Sequence, residues 1–478
     1  MQKALLRSIY FMNLSHAVHD GYDKIKALYL AIAHSAIIAA YSIVRPIKSS
    51  VFLSFIGSQY LPSAKIVSFI MAPILMYLYS KLLNATHRHR ITIILFAIYA
   101  VAIAIFGALL IHPTLGLQNA IADPSRIIGW IVYLFLDFFN VMVLETLWSF
   151  TNSISSPHFA REKYSRINAA ARGIGIISPL IGAFFMRNFL PEVSTPILCL
   201  LASALITGAL LSLQKITDTV PEEYLGGYNK DKEPHEKDKT HKSNWLDSLK
   251  LLFQEPYVGG IFILVYSFNF ISTFADFQMQ TFVSEYCNND FKAIATFMFM
   301  YTAVFQVLGF FFSLVGTNAL LKRFGLQVCL MISPVIIFGL LVVLINFKTL
   351  MVATVAMVIL RALNYGFNMP VREMLFIPTT ETIQFKSKAW ISSFGQTFSE
   401  GLSSFFNNPK MILHLLPGSF AASPTLLAVT GNLAASGPGL SLGLAALWTV
   451  TAYLLGHTYQ YTITHNKVIG KHGPKKTL

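Results

Sequence analysis

Charge is scarce in this chain. Asp, Glu, Lys and Arg make up 12% of its 478 residues, where a soluble protein carries about a quarter. A chain so poor in charge cannot cover a water-facing surface of the size its length demands, which excludes a soluble globular enzyme. Cysteine is scarcer still. Cys199, Cys287 and Cys329 form neither a disulfide framework nor a metal-binding spacing. No Walker-type glycine loop, His/Cys cluster or nucleophile motif is present, so nothing asks for covalent chemistry, a metal or a cofactor. The first residues, MQKALLRSIYFMNLSHAVHD, lack a long apolar run and a small-residue cleavage site. They read as an amphipathic cytoplasmic arm, 1–26, rather than a cleaved signal.

What the chain has is apolar length: 54% of it is hydrophobic and its mean hydropathy is +0.58. Runs long enough to span a bilayer fall at 27–54, 61–83, 91–111, 127–150, 168–186 and 196–213. A second series falls at 258–283, 293–321, 326–346 and 350–369. It continues with a run opening at Ala389, interrupted by Asn407, Asn408 and Pro409, and ends at 440–462. The Gly-, Ser-, Ala- and Pro-rich stretch 417–439 leaves two readings open, a re-entrant piece or a loose loop. Between the two series lies a hydrophilic stretch, 215–244, containing NKDKEPHEKDKTHK. It reads as a solvated linker, closed by an amphipathic piece at 245–253. The expectation is an all-α integral membrane protein of about twelve transmembrane helices in two six-helix halves. The halves are 27–214 and 258–462, joined by a linker, 215–257, and followed by a basic tail, 463–478.

The net charge is +14, which by itself would suggest nucleic acid. The basic residues sit instead in short loops between apolar runs, where they set topology. One set holds Lys24, Lys26, Arg88, Arg90, Arg161, Lys163, Arg166, Lys322, Arg323, Lys386, Lys388, Lys467 and Lys471. The opposite set holds only scattered charges such as Arg126, Arg187, Lys348 and Lys410. The expected partner is therefore a lipid bilayer and not nucleic acid, with both termini and the linker in the cytoplasm. Two six-helix halves with a cytoplasmic linker describe a major-facilitator-like architecture, whose site lies between the halves.

Charges inside the spans fall on particular helices. The first carries Arg45 and Lys48, the fourth Asp137 and Glu145, the seventh Asp276, and the tenth Arg361 leading to Arg372. Each costs roughly 2.5–3.5 kcal/mol at mid-bilayer. Their recurrence on the first helices of three-helix units suggests one shared polar pathway. Arg45 and Lys48 are three apart on one helix, and two neighbouring cations want an anion between them; phosphate oxygens suit both. A purely structural lock, Arg45 with Glu145 and Lys48 with Asp276, is the competing reading. At the end of the tenth run Arg372 and Glu373 either serve a ligand or mark the helix end. His34 and Arg172 read equally as cavity-lining or as satisfied between helices. Asn140, Asn269 and Asn364 read as helix–helix glue or ligands. Tyr41, Phe139 and Phe277 read as packing before base stacking.

Several motifs resemble those of the nucleotide translocases, the ATP/ADP antiporters of plastids and obligate intracellular bacteria. Arg45-Pro46-Ile47-Lys48-Ser49 resembles the family's first-helix motif. Glu145 ahead of Leu147-Trp148-Ser149-Phe150-Thr151-Asn152 resembles that of the fourth. Pro370-Val371-Arg372-Glu373 through Ile377-Pro378 resembles the end of the tenth, followed by Lys386, Lys388, Ala389 and Gly395. The resemblance implies transport by alternating access, most readily ATP for ADP, through Lys48, Glu145, Asp276 and Arg372, with Arg45 beside them. Asp137, Arg361, Glu373, Lys386 and Lys388 are further candidates for substrate or coupling. It implies a monomer in a bacterial inner membrane or plastid envelope. The chain departs from the family at Asp276 (usually Glu), Arg372 (usually Lys), and Thr397 and Glu400, where the family often carries Arg and Lys. Proton-coupled import of another nucleotide, NAD or an organic anion is the alternative. A non-transporting sensor or scaffold on the same fold is the reading from another class.

Overall fold

The computed structural model describes residues 2–85, 88–225, 254–312, 317–380, 383, 388, 391, 395–409, 424–465 and 467–470. Most of the expected linker, including 245–253, lies outside them, as do Lys386 and Lys471. The described residues form α1 (Gln2–Phe55), α2 (Leu61–Ala85), α3 (Arg88–Leu109), α4 (Ile127–Ser153), α5 (Pro157–Asn188) and α6 (Pro191–Thr219). The second half follows as α7 (Pro256–Tyr286), α8 (Phe291–Phe311), α9 (Thr317–Asn346), α10 (Leu350–Phe376), α11 (Gln396–Asn407) and α12 (Pro424–Thr464). Eleven of these helices are long and apolar enough to cross a membrane; α11 is described over 12 residues and is the exception. Extended pairing among the described residues is confined to one parallel bridge, Thr379 with Ile469.

Local chemistry starts these helices. Ser156 caps α5 by accepting from the Phe159 amide, with Pro157 in the first turn. Asp290 caps α8 through the Ala293 amide at 2.8 Å. Each cap satisfies an amide that would otherwise have no partner. Large apolar side chains such as Ile70, Tyr77, Val101, Phe184 and Leu454 are about half exposed or more. Water would penalise such a surface, whereas hydrocarbon accepts it.

Three boundaries differ from the expectation. The eighth run, expected over 293–321, ends as a helix at Phe311, and α9 opens at Thr317. Gly325, at φ +74°, kinks α9 beside Lys322 and Arg323, a conformation that glycine adopts without a Cβ penalty. The stretch 424–439 is neither re-entrant nor loose but the first part of α12. Its small residues let helices approach closely: a Cβ on Gly437 would lie 3.5 Å from the Phe406 carbonyl and 3.7 Å from the Phe274 ring. Finally, α1 begins at Gln2 and runs through the expected arm into the first span without a break.

Within the first half α1 packs on α5 and α6, and α3 on α6. Within the second, α12 packs on α9 and α7. The halves meet where α2 packs on α11, α5 on α8, and α1 on α8. Gly182 of α5 sits directly against the ring of Phe299 on α8, and Phe299 is fully buried. A side chain at 182 therefore has to displace an aromatic with nowhere to go. Gly182→Val is expected to destabilise the protein by about 1–3 kcal/mol, the usual cost of overpacking. Thermal unfolding in detergent measures it, and adding Phe299→Ala in the same chain should return most of the loss.

Candidate functional site

A polar cavity of ≈ 190 Å³ lies between the halves. Each half contributes charge to it. From the first come Arg45 and Lys48 on α1, Lys65 on α2 and Asp137 on α4; from the second come Asp276 on α7, Arg361 on α10 and Glu400 on α11. Four cations thus face three carboxylates. Pro46 stands between the two α1 cations, and its carbonyl accepts from Ser50 Oγ one turn on at 2.8 Å.

The charges divide into two groups. In the first, Asp137 Oδ1 accepts from Lys48 Nζ at 2.7 Å and from Lys65 Nζ at 3.1 Å. Lys65 also reaches Glu400 Oε2 at 3.3 Å, and Glu400 Oε1 accepts from Gln396 at 2.9 Å. This chain crosses from one half to the other. In the second group, Arg45 and Arg361 have no carboxylate within 4.0 Å among the described residues. Tyrosines surround them instead. Tyr365 stands beside both guanidinium groups, and Arg45 lies 6.0 Å from the Tyr41 ring and 5.6 Å from that of Phe305. Tyr301 also lies beside the buried Arg361 guanidinium. Asp276 is engaged along its own helix by Gln280 at 2.7 Å.

The helices carrying Asp137 and Arg361 share a local irregularity. α4 widens into a π-turn over Asn140–Leu144, and α10 does so over Asn364–Asn368. In each case an asparagine opens the turn three residues after the charge. π-turns concentrate at functional sites because they rotate the following side chains off the regular helical face. Here the two occupy equivalent places in the two halves.

The site candidates thus fall in two places. Arg45, Lys48, Asp137, Asp276 and Arg361 line the cavity. Glu145, Arg372, Glu373 and Lys388 do not. Glu145 lies eight residues past Asp137, roughly 12 Å along the helix, and Arg372 eleven past Arg361, roughly 16 Å. They stand toward the end that bears the basic loops. There Lys388 Nζ pairs with Glu373 Oε2 across the loop. The lock expected between Lys48 and Asp276 is not formed, because Asp137 on the neighbouring helix takes Lys48. His34 bonds Thr151 Oγ1 at 2.9 Å and packs at a tilt against the Trp148 ring, which ties α1 to α4 away from the cavity. Arg172 donates to the Tyr365 carbonyl at 3.4 Å, joining α5 to α10. Asn140 lines the cavity, Asn269 bonds Val265 O within its helix, and Asn364 accepts from Asn368. Tyr41 stacks on Phe139, and Phe277 stands outside the lining.

Sequence reasoning passed over Lys65, Tyr301 and Tyr365, and noted Glu400 only as a departure. Lys65 was open to detection: it is a cation near the start of an apolar run, far from the run's other lysine, Lys81, and such a residue is a functional candidate by default. The tyrosines carried no such signal in a chain with 20 of them.

Helices in two halves around a charged central cavity define a membrane transporter for an anionic solute. The solved structures that this fold resembles are transporters too. A bacterial homologue of the iron transporter ferroportin in an inward-facing state has a TM-score of 0.59 at 14% identity, covering 91% of this chain and 98% of that one. A D-xylose-proton symporter has a TM-score of 0.55 at 14% identity, covering 90% and 97%. At such identities the likeness is one of fold. The family is given by the sequence: the model of the TLC ATP/ADP transporter family matches residues 11–434, and the chain belongs to that family of nucleotide transporters. It is 20% identical to ADP,ATP carrier protein 1 of Rickettsia prowazekii over 94% of this chain and 96% of the relative. To the protein of the same name in Rickettsia conorii it is 21% identical over 85% and 89%.

Proposed function

We propose that the protein exchanges nucleotides across its membrane, ATP for ADP, by rocking its two halves about the central cavity. The observation that carries this reading is the pair Arg45 and Arg361. They come from opposite halves, lie free of carboxylates among the described residues, and share Tyr365 between them. Arginine forks held this way suit a phosphate chain, and an anion bridging them draws the halves together. Lys48 and Lys65 lie on the same wall for a further phosphate. The cavity is smaller than the roughly 300–1,000 Å³ of common ligand pockets. It suits the phosphates, and the base and ribose extend toward the π-turns and the second tier of charge at Glu145 and Arg372. The protein acts as a monomer in a bacterial inner membrane or plastid envelope, with both termini in the cytoplasm. It performs no covalent chemistry on its cargo.

Exchange follows from the balance of charge. With the cavity empty, closing the halves brings Arg45 toward Arg361. A bound nucleotide neutralises them, so only the loaded form crosses readily. Proteoliposomes test this. Uptake of labelled ATP is expected to be strong into vesicles loaded with ADP or ATP and almost nil into vesicles holding buffer. Equal uptake into empty vesicles, rising with an inward proton gradient, would replace exchange by proton-coupled import. Absence of any nucleotide uptake in reconstituted, folded protein would favour a sensor or scaffold.

A further inference from the structure

We infer that Glu400 is a specificity-determining residue that sets how many phosphate charges the cavity accepts, favouring nucleoside diphosphates over triphosphates. The inference rests on the nucleotide reading above and deepens it.

Glu400 is a carboxylate built into a site that must receive an anion. Both of its oxygens are occupied, one by Lys65 at 3.3 Å and the other by Gln396 at 2.9 Å. Its helix is pressed against α2, where a Cβ on Gly401 would lie 3.2 Å from the Phe69 ring. Phe69 and Phe398 also meet there, at 6.2 Å between rings. This packing holds α11 against α2 and so keeps Glu400 within reach of Lys65 while the halves are joined at this point.

The count of charge then decides. Among the cavity's four cations and three carboxylates, Arg45 and Arg361 are the two cations with no carboxylate within 4.0 Å among the described residues, and Asp276 offsets only part of their charge from farther away, so the first phosphate charges meet them. A longer phosphate chain has to reach Lys48 and Lys65, whose positive charge Asp137 and Glu400 already offset. To take Lys65, the terminal phosphate must approach Glu400 itself, and like charges at close range oppose it strongly where water is scarce. A triphosphate carries roughly one more negative charge than a diphosphate, and that charge falls nearest Glu400. Asp137 is shared by both lysines and holds the cluster together. Glu400 sits at its edge on the opposite half, so its charge can be changed without unpairing Lys48.

Equilibrium binding to the purified, detergent-solubilised full-length protein tests this with ADP and ATP as probes. Wild type is expected to bind ADP more tightly than ATP. Glu400→Gln keeps an acceptor for Lys65 and removes the charge, and is expected to shift the ATP-to-ADP affinity ratio toward ATP by roughly tenfold. Glu400→Asp should hold the wild-type ratio. Thr397→Glu adds a carboxylate one turn away on the same cavity-facing side and should shift the ratio toward ADP, which tests the idea even if Glu400→Gln does not purify. A ratio unmoved by Glu400→Gln, or by Thr397→Glu, in protein that still binds ADP overturns the inference and leaves the nucleotide reading standing. Wild-type protein that binds neither nucleotide overturns both.

Discussion

Arg361→Ala and Arg45→Ala are each expected to cut nucleotide uptake by roughly a hundredfold while the protein still inserts and folds. A hydrogen bond to a charged group is worth about 1.5–3 kcal/mol, and each guanidinium can offer two to a phosphate. Losing one arginine therefore removes enough for two decades at about 1.4 kcal/mol each. The stability of the empty protein should respond differently. Neither arginine has a carboxylate within 4.0 Å among the described residues, so its removal breaks no ion pair, and Asp276 keeps its hydrogen bond from Gln280 at 2.7 Å. It also relieves repulsion between two cations on the same cavity. Arg45 does lose its contacts over Tyr41 and Phe305, worth about 0.5–2 kcal/mol, which roughly offsets that relief. The expected pattern is thus a nearly unchanged unfolding temperature without nucleotide and loss of the upward shift that nucleotide gives wild type. Arg361→Lys keeps the charge but not the fork and should fall between, at about a tenfold loss. Uptake at wild-type rate in either alanine variant would remove the arginine pair from the site.

How much of this was legible in the sequence depends on which physical signal each part leaves. Helices leave a strong one, because hydrocarbon demands about 20 apolar residues in a row; the spans and the two-half architecture followed from it. The ends were less legible. Nothing in the composition of 424–439 distinguishes a loop from a helix whose Gly437 sits against Phe406 and Phe274. Intramembrane charge was legible residue by residue, and Asp137 and Arg361 stood out as candidates because each interrupts an otherwise apolar stretch. Pairing was not legible. Lys65 and Glu400 are 335 positions apart, and only the packing of α2 on α11 brings them together. The two π-turns were hidden for a related reason: NVMVL and NYGFN have no composition that marks a widened turn. The motif residues Glu145 and Arg372 were legible through resemblance. Their place in a second tier, beyond the cavity that holds Arg45 and Lys48, follows only from helix geometry.

Asp137→Asn should have the largest effect on the empty protein. Asp137 is the common partner of Lys48 and Lys65, and the three side chains are 12%, 13% and 21% exposed. The amide preserves the shape and removes the charge, leaving two ammonium groups on one acceptor. Removing one member of a buried ion pair costs about 3–5 kcal/mol. Partial exposure places this cluster at the lower end, near 3 kcal/mol. Transport should fail as well, since lysines that repel each other no longer present one ordered wall to the phosphate. Two further measurements separate charge from packing. First, at one fixed nucleotide concentration the variant should gain more stability than wild type does, because the phosphates restore the missing negative charge and binding to the folded state stabilises it by mass action. Second, Lys48→Met added to Asp137→Asn removes one cation with the anion and should recover most of the stability of the empty protein while uptake stays lost. In a double-mutant cycle the two substitutions are then strongly non-additive, as expected for groups in direct contact. Simple additivity of the two losses would mean that Lys48 and Asp137 are not a coupled pair, and that the cluster does not work as one charged unit spanning the halves.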